Sequence, residues 1–212
     1  MILLPLLPLV FFGLLWLFFS AGQEGHAGDA DWRRPLVLAG LFCSGFLALG
    51  TELLSLFRAL TPAGAAGLWL AGIAVMGVLQ WQTSFVKRGY NRIRRSLADW
   101  QPGAFGWFMV ILSVAALLVL LITGLLSPPN IHDVLAYHMS RVMHWAQNHS
   151  LAFYPTPNTW QLWMPPFSEF SQLHWTLLAG SDWLTFFPQW YSLILAMAAV
   201  SLTARRLGAG AK

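Results

Sequence analysis

Charge is what this sequence has least of. Only 9% of its 212 residues are Asp, Glu, Lys or Arg and 57% are hydrophobic, whereas soluble domains carry roughly 25% charged residues. That balance excludes an ordinary soluble globular domain and places the chain among membrane proteins. Cysteine is nearly absent too: Cys43 stands alone, which rules out an intramolecular disulfide and leaves the redox compartment unmarked. No internal repeat is present, and only residues 21–30, rich in Gly and Ala, have the composition of a linker. The apolar runs themselves hold almost no ionisable groups, and no pair of broken helices interrupts them, which disfavours a transporter.

What is there instead is length of apolar chain. A helix needs about 20 mostly apolar residues to cross the hydrocarbon layer, and Ile2–Ser20, Pro35–Phe57, Ala63–Gln82 and Ala104–Leu126 qualify, with Trp183–Ala204 a slightly more polar fifth. The expected fold is therefore all-α: a polytopic transmembrane helical protein of about five spans, with amphipathic juxtamembrane helices in a large outer loop. No positive segment precedes the first apolar run, which is longer than a signal-peptide core, so it reads as a retained span.

Basic loops beside span ends stay on the cytoplasmic side. Lys87, Arg88, Arg92, Arg94 and Arg95 crowd one loop; placing it inside also brings Arg33 and Arg34 inside. Arg205 and Arg206 join them only if a single span follows residue 127, so Phe167–Ala179, which is shorter and holds Glu169 and His174, should lie at the outer interface. Two regions follow: 1–103, three spans with a cytoplasmic basic loop, and 104–212, a span, an outer loop at 127–182 and a second span.

That loop holds five of the six histidines and six of the twelve prolines. Pro128 and Pro129 stop the span before it. Asn130 can cap a new helix. On an ideal helix over residues 131–148, Asp133, Tyr137, Ser140, Arg141 and His144 share one sector, and Ile131, Leu135, Met139 and Val142 the opposite one. Such a helix rests on the bilayer by its apolar side.

Asp133 has two readings. As the third residue after the Asn130 cap it would meet the helix dipole and cap backwards, which contributes about 0.3 to 1 kcal/mol. Yet beyond the fourth span only Asp133, Glu169 and Asp182 are acidic, and Asp182, beside Ser181, reads as a cap for the last helix. Asp133 and Glu169 flank one proline-rich segment; two carboxylates facing one pocket could divide the work, one taking a proton or holding a divalent cation and the other orienting a hydroxyl or cationic group. The histidines form no zinc pattern. Arg141, the only basic residue of the loop, either meets a phosphate or pairs with Asp133.

The stretch PPNIHDVLAYHMSRVMHWAQNHSLAFYPT, then MPPFSEF and a span ending in LTARRLGA, resembles the first outer loop and next span of GT-C glycosyltransferases. The likeness is to bacterial family 39 members, related to protein mannosyltransferases and the aminoarabinose transferase of lipid A, and covers roughly residues 104 to 208. It implies transfer of a sugar from a polyprenyl-phosphate donor to a lipid or glycan acceptor at the outer face of the bacterial inner membrane. On this resemblance Asp133 matches the catalytic aspartate that activates the acceptor or helps hold a cation, Mg or Mn. Tyr137, His138, Arg141 and Glu169 then surround donor or acceptor. Members often carry an acidic pair here, whereas this chain has His132 and Val134 beside Asp133, and they have about twice as many spans. The expectation is thus an N-terminal part, inactive alone. The competing reading is a non-enzymatic membrane subunit whose outer loop binds lipid headgroups or a partner protein.

Overall fold

The structure, a computed structural model, describes residues 3–23, 31–127 and 129–208. All regular structure among them is helical: α1 (Leu6–Ala21), α2 (Arg33–Leu56), α3 (Pro62–Thr83), α4 (Phe85–Ala98), α5 (Ala104–Leu126), a π turn (Val134–His138), α6 (Met139–Asn148), α7 (Trp160–Trp163), α8 (Phe167–Ala179) and α9 (Phe187–Arg206). Helices α2, α3, α5 and α9 are long and apolar enough to cross a membrane. The chain is a multi-pass helical membrane protein. α5 has no buried residue; in lipid its apolar side chains need no protein partner, and its backbone groups are paired within the helix.

Two expected spans come out shorter. α1 has 16 residues, about 24 Å at 1.5 Å per residue, against a hydrocarbon layer of about 30 Å. Residues 3–5 form a turn, because Pro5 disfavours helix at the residue before it. α9 begins only at Phe187: residues 183–186 form turns, in which Thr185 donates to the Asp182 carbonyl through its amide (3.1 Å) and its hydroxyl (2.6 Å). Asp182 thus works through its main chain and not as the side-chain cap its position suggested.

The chain forms two compact units, each built from three separated segments. One comprises Leu9–Cys43, Gly72–Val119 and Tyr191–Lys212. Here Asp31 accepts a two-pronged bond from Arg33 (2.8 and 2.7 Å) and a further one from Arg205 (3.1 Å), tying the start of α2 to the end of α9. Partial burial would raise the Asp31 pKa, but the hydrogen bonds and charge of Arg33, helped by Arg205, outweigh it and hold the carboxyl below its usual value. The Trp32 amide donates to Ser96 Oγ (3.1 Å), which brings in the end of α4. The three basic clusters therefore gather at one end of their helices, as expected if the chain returns to the same side after α9. Gly89 of α4 lies against Leu17 of α1 so closely that a Cβ would run into the Leu17 carbonyl.

The other unit comprises Met1–Pro8, Ser44–Ala71 and Leu120–Trp190. Its centre is α8. Thirteen residues are too few to cross, but α8 does not rest on a surface by one face: Glu169, Phe170 and every residue from Gln172 to Leu178 are buried. α6 packs along it, with the Trp145 and Phe170 rings 5.6 Å apart. The turn after α2 is latched to the end of α6, where His149 Nδ1 meets the Leu60 carbonyl (3.2 Å) and the Leu151 amide donates to Ser55 Oγ (2.8 Å).

Candidate functional site

The helix that follows α5 is not a continuous α-helix. Over Val134–His138 it widens into a π turn, whose hydrogen bonds close five residues back and which therefore inserts one residue into the helical phase. The Ala136 carbonyl inside it accepts side-chain N–H groups from Gln161 (2.8 Å) and Asn158 (3.1 Å). After this insertion the buried face of α6 is Met139, Arg141, Val142 and Trp145. Arg141, expected on the wet face with Asp133, points inward instead.

Its guanidinium, 1% exposed, is matched almost donor by donor. Nε donates to the Gln161 carbonyl (2.7 Å), one Nη to the Trp160 carbonyl (2.8 Å), and the other to the Met164 carbonyl (2.9 Å) and to Glu169 Oε1 (3.1 Å). Glu169 is fully buried, and Ser168 Oγ donates to its second oxygen (2.7 Å). A buried ion pair is tolerable when its remaining donors and acceptors are filled; here three carbonyls from the segment before α8 supply them. Arg141 therefore pairs with Glu169, not with Asp133.

Glu169 Oε1 has one more partner, His138 Nδ1 at 2.9 Å. Because a carboxylate only accepts, Nδ1 carries the hydrogen, and Nε2 is the ring nitrogen left for another partner. The imidazole is 27% exposed, and Nε2 has no partner among the described residues. Tyr137 lies against it, ring centroids 4.0 Å apart, and meets Trp160 edge-on at 5.9 Å. Tyr137, His138, Arg141 and Glu169 are thus brought together, with the last two as buried supports.

Asp133 stands apart from that cluster. It is exposed, at the end of the chain segment leading into the π turn, and its carboxylate has no hydrogen bond or ion pair among the described residues. The expected cap is not formed: Asn130 Nδ2 reaches Ser127 Oγ (3.5 Å), and the Leu135 amide bonds to Ile131. Since the wide turn closes at five residues, the backbone positions of Asp133 and His138 come toward one side of the helix. Among the described residues no three His, Cys, Asp or Glu side chains converge.

Two further polar features were not foreseen. His174, buried in α8, accepts at Nδ1 from Trp69 Nε1 (3.0 Å) and therefore carries its proton on Nε2, facing Thr51 Oγ1 (3.1 Å), whose hydroxyl goes on to the Leu47 carbonyl (2.6 Å). Burial pushes its pKa down to about 4. One face of α8 carries Glu169, Gln172 and Thr176, and Gln172 Oε1 and Thr176 Oγ1 have no hydrogen-bond partner among the described residues. Nearby, Tyr154 donates to Gln161 Oε1 (3.0 Å) and stacks on His144 at 3.9 Å; burial raises its pKa, with the Arg141 charge pulling the other way.

Fold and site together define a multi-pass helical membrane protein with a folded loop domain that holds a carboxylate–histidine pair. Comparison with known protein families, with curated proteins and with solved structures finds no match.

Proposed function

We propose that this chain is part or all of a membrane glycosyltransferase, moving a sugar from a polyprenyl-phosphate donor to a lipid or glycan acceptor at the outer face of a bacterial inner membrane. The observation that carries it is the exposed Asp133, unpartnered among the described residues, one π turn before a histidine whose ring is held by a buried carboxylate. An acid with no structural partner is available as a base, and a fixed imidazole presents one nitrogen to a ligand. Asp133 takes the proton of the acceptor hydroxyl as its oxygen bonds the anomeric carbon. The bond from that carbon to the phosphate oxygen breaks, and polyprenyl phosphate leaves. His138, protonated at Nε2, donates a hydrogen bond to the departing phosphate. Glu169 and Arg141 are positioning residues that fix His138 from behind.

The test is transfer of label from a polyprenyl-phosphate sugar in membranes that contain the chain. Asp133→Asn keeps size and helix-start preference but removes basicity, so the rate should fall about 10²-fold with insertion unchanged. Asp182→Asn is the control. In membranes that carry the activity, near-normal transfer by Asp133→Asn overturns the assignment.

A further inference from the structure

In the unit that holds the basic clusters, a cavity of about 940 Å³ is lined by Arg34 of α2 and by Arg88, Arg92 and Arg95 of α4. Positions 88, 92 and 95 fall on one face of that helix, as residues three and four apart do. No carboxylate is among the described lining residues. Arg34, Arg92 and Arg95 make no side-chain hydrogen bond among the described residues, and Arg88 makes one, to the Thr83 carbonyl at the end of α3 (2.7 Å). Four cations thus face one space with most of their donors unspent among the described residues, an arrangement that asks for an anion able to accept several N–H bonds at once.

The other walls say where that anion comes from. Phe18 and Phe19 belong to the last turns of α1, Leu38 to the beginning of α2 and Phe85 to the beginning of α4. The cavity lies where apolar helices end and arginines begin, which is the level of lipid headgroups, and α4 is an arginine-rich amphipathic helix of the kind that lies in that layer. A soluble anion would use the arginines alone; a lipid would also use the phenylalanines.

We infer that this cavity binds the phosphoryl headgroup of an anionic membrane lipid, with the arginines on the phosphate and Phe18, Phe19 and Leu38 against the start of the acyl chains. The site is independent of the proposed sugar transfer. Native mass spectrometry of the full chain in detergent, titrated with phosphatidylglycerol, phosphatidylcholine and inorganic pyrophosphate, tests it. Phosphatidylglycerol should be retained, phosphatidylcholine much less, and pyrophosphate should not compete at equal concentration. Arg34→Gln/Arg95→Gln should weaken phosphatidylglycerol binding roughly tenfold or more. Lys87→Gln/Arg94→Gln, the same charge loss outside the cavity, should change it by less than about twofold. Equal loss in both pairs, or phosphatidylcholine bound as tightly, overturns the site. Pyrophosphate bound in place of lipid overturns the lipid assignment. Because lipid selectivity of the unmodified chain is read separately, a badly folding variant leaves the test intact.

Discussion

Arg141 is almost fully buried and gives four N–H bonds to oxygens of its own chain, whereas Arg34, Arg92 and Arg95 face a cavity and give none from their side chains among the described residues. The same side chain is a structural bolt in one unit and an open hand in the other. The difference lies in what the neighbouring backbone offers. Before α8 the chain turns at Trp160–Met164 and leaves three carbonyls pointing at one guanidinium; α4 is helical along its length, so its carbonyls are already used. Where the protein supplies acceptors an arginine stabilises the fold, and where it supplies none the arginine is left for a ligand.

The largest effect should come from removing the bolt. Arg141→Met leaves Glu169 charged and buried with three carbonyls unmatched, a loss of about 3–5 kcal/mol, seen as a sharp fall in thermal stability in detergent. Adding Glu169→Leu should recover part of it, since the lone carboxylate is gone while the carbonyls remain. If Arg141→Met melted like wild type, the contrast between the two sets of arginines would collapse.

A smaller effect comes from the buried histidine of the same unit. His174 has its pKa lowered from about 6.5 to about 4, so the unfolded chain takes up a proton over that interval and the folded chain does not. Stability is complete above about pH 6.5 and declines as pH falls toward 4, by about 3 kcal/mol at most. His174→Gln should flatten that slope in a pH series of melting temperatures. An unchanged slope would mean that another group carries it.

The smallest effect is expected in the cavity. Arg34→Gln/Arg95→Gln in lipid-free detergent should leave stability within about 0.5 kcal/mol of wild type, as surface changes do. A large loss there would show that these arginines are structural after all.

The spans were legible in the sequence because a run such as 104–126 has no charged residue, and apolar length alone decides whether a helix crosses. The gathering of Arg33, Arg95 and Arg205 was expected from charge counting; Asp31 bonds Arg33 and Arg205, and the Trp32 amide reaches Ser96 beside Arg95. The interior of the loop domain was not legible. Nothing in VLAYH departs from an α-helical pattern, so the extra residue of the π turn is invisible, and every face assigned after it is rotated. Arg141 was noticed for its rarity, but its partner lies 28 residues on. His174 depends on Trp69 and Thr51, more than a hundred residues away, which no local periodicity encodes.

The π turn also makes the loop sensitive to chain length in a way that side-chain substitution would not reveal. Remove one residue between Val134 and His138 and a regular α-helix can close from His132 to Asn148, with nothing left over. Because the wide turn already absorbs the extra residue, α6 would keep its phase and Arg141 its place against the carbonyls that hold it. The Ala136 carbonyl, drawn back into the helical ladder, would lose the opening through which Gln161 and Asn158 reach it. A single-codon deletion here should therefore spare the bolt and release the latch, whereas the same deletion inside the regular turns of α6 would rotate all that follows by about 100°.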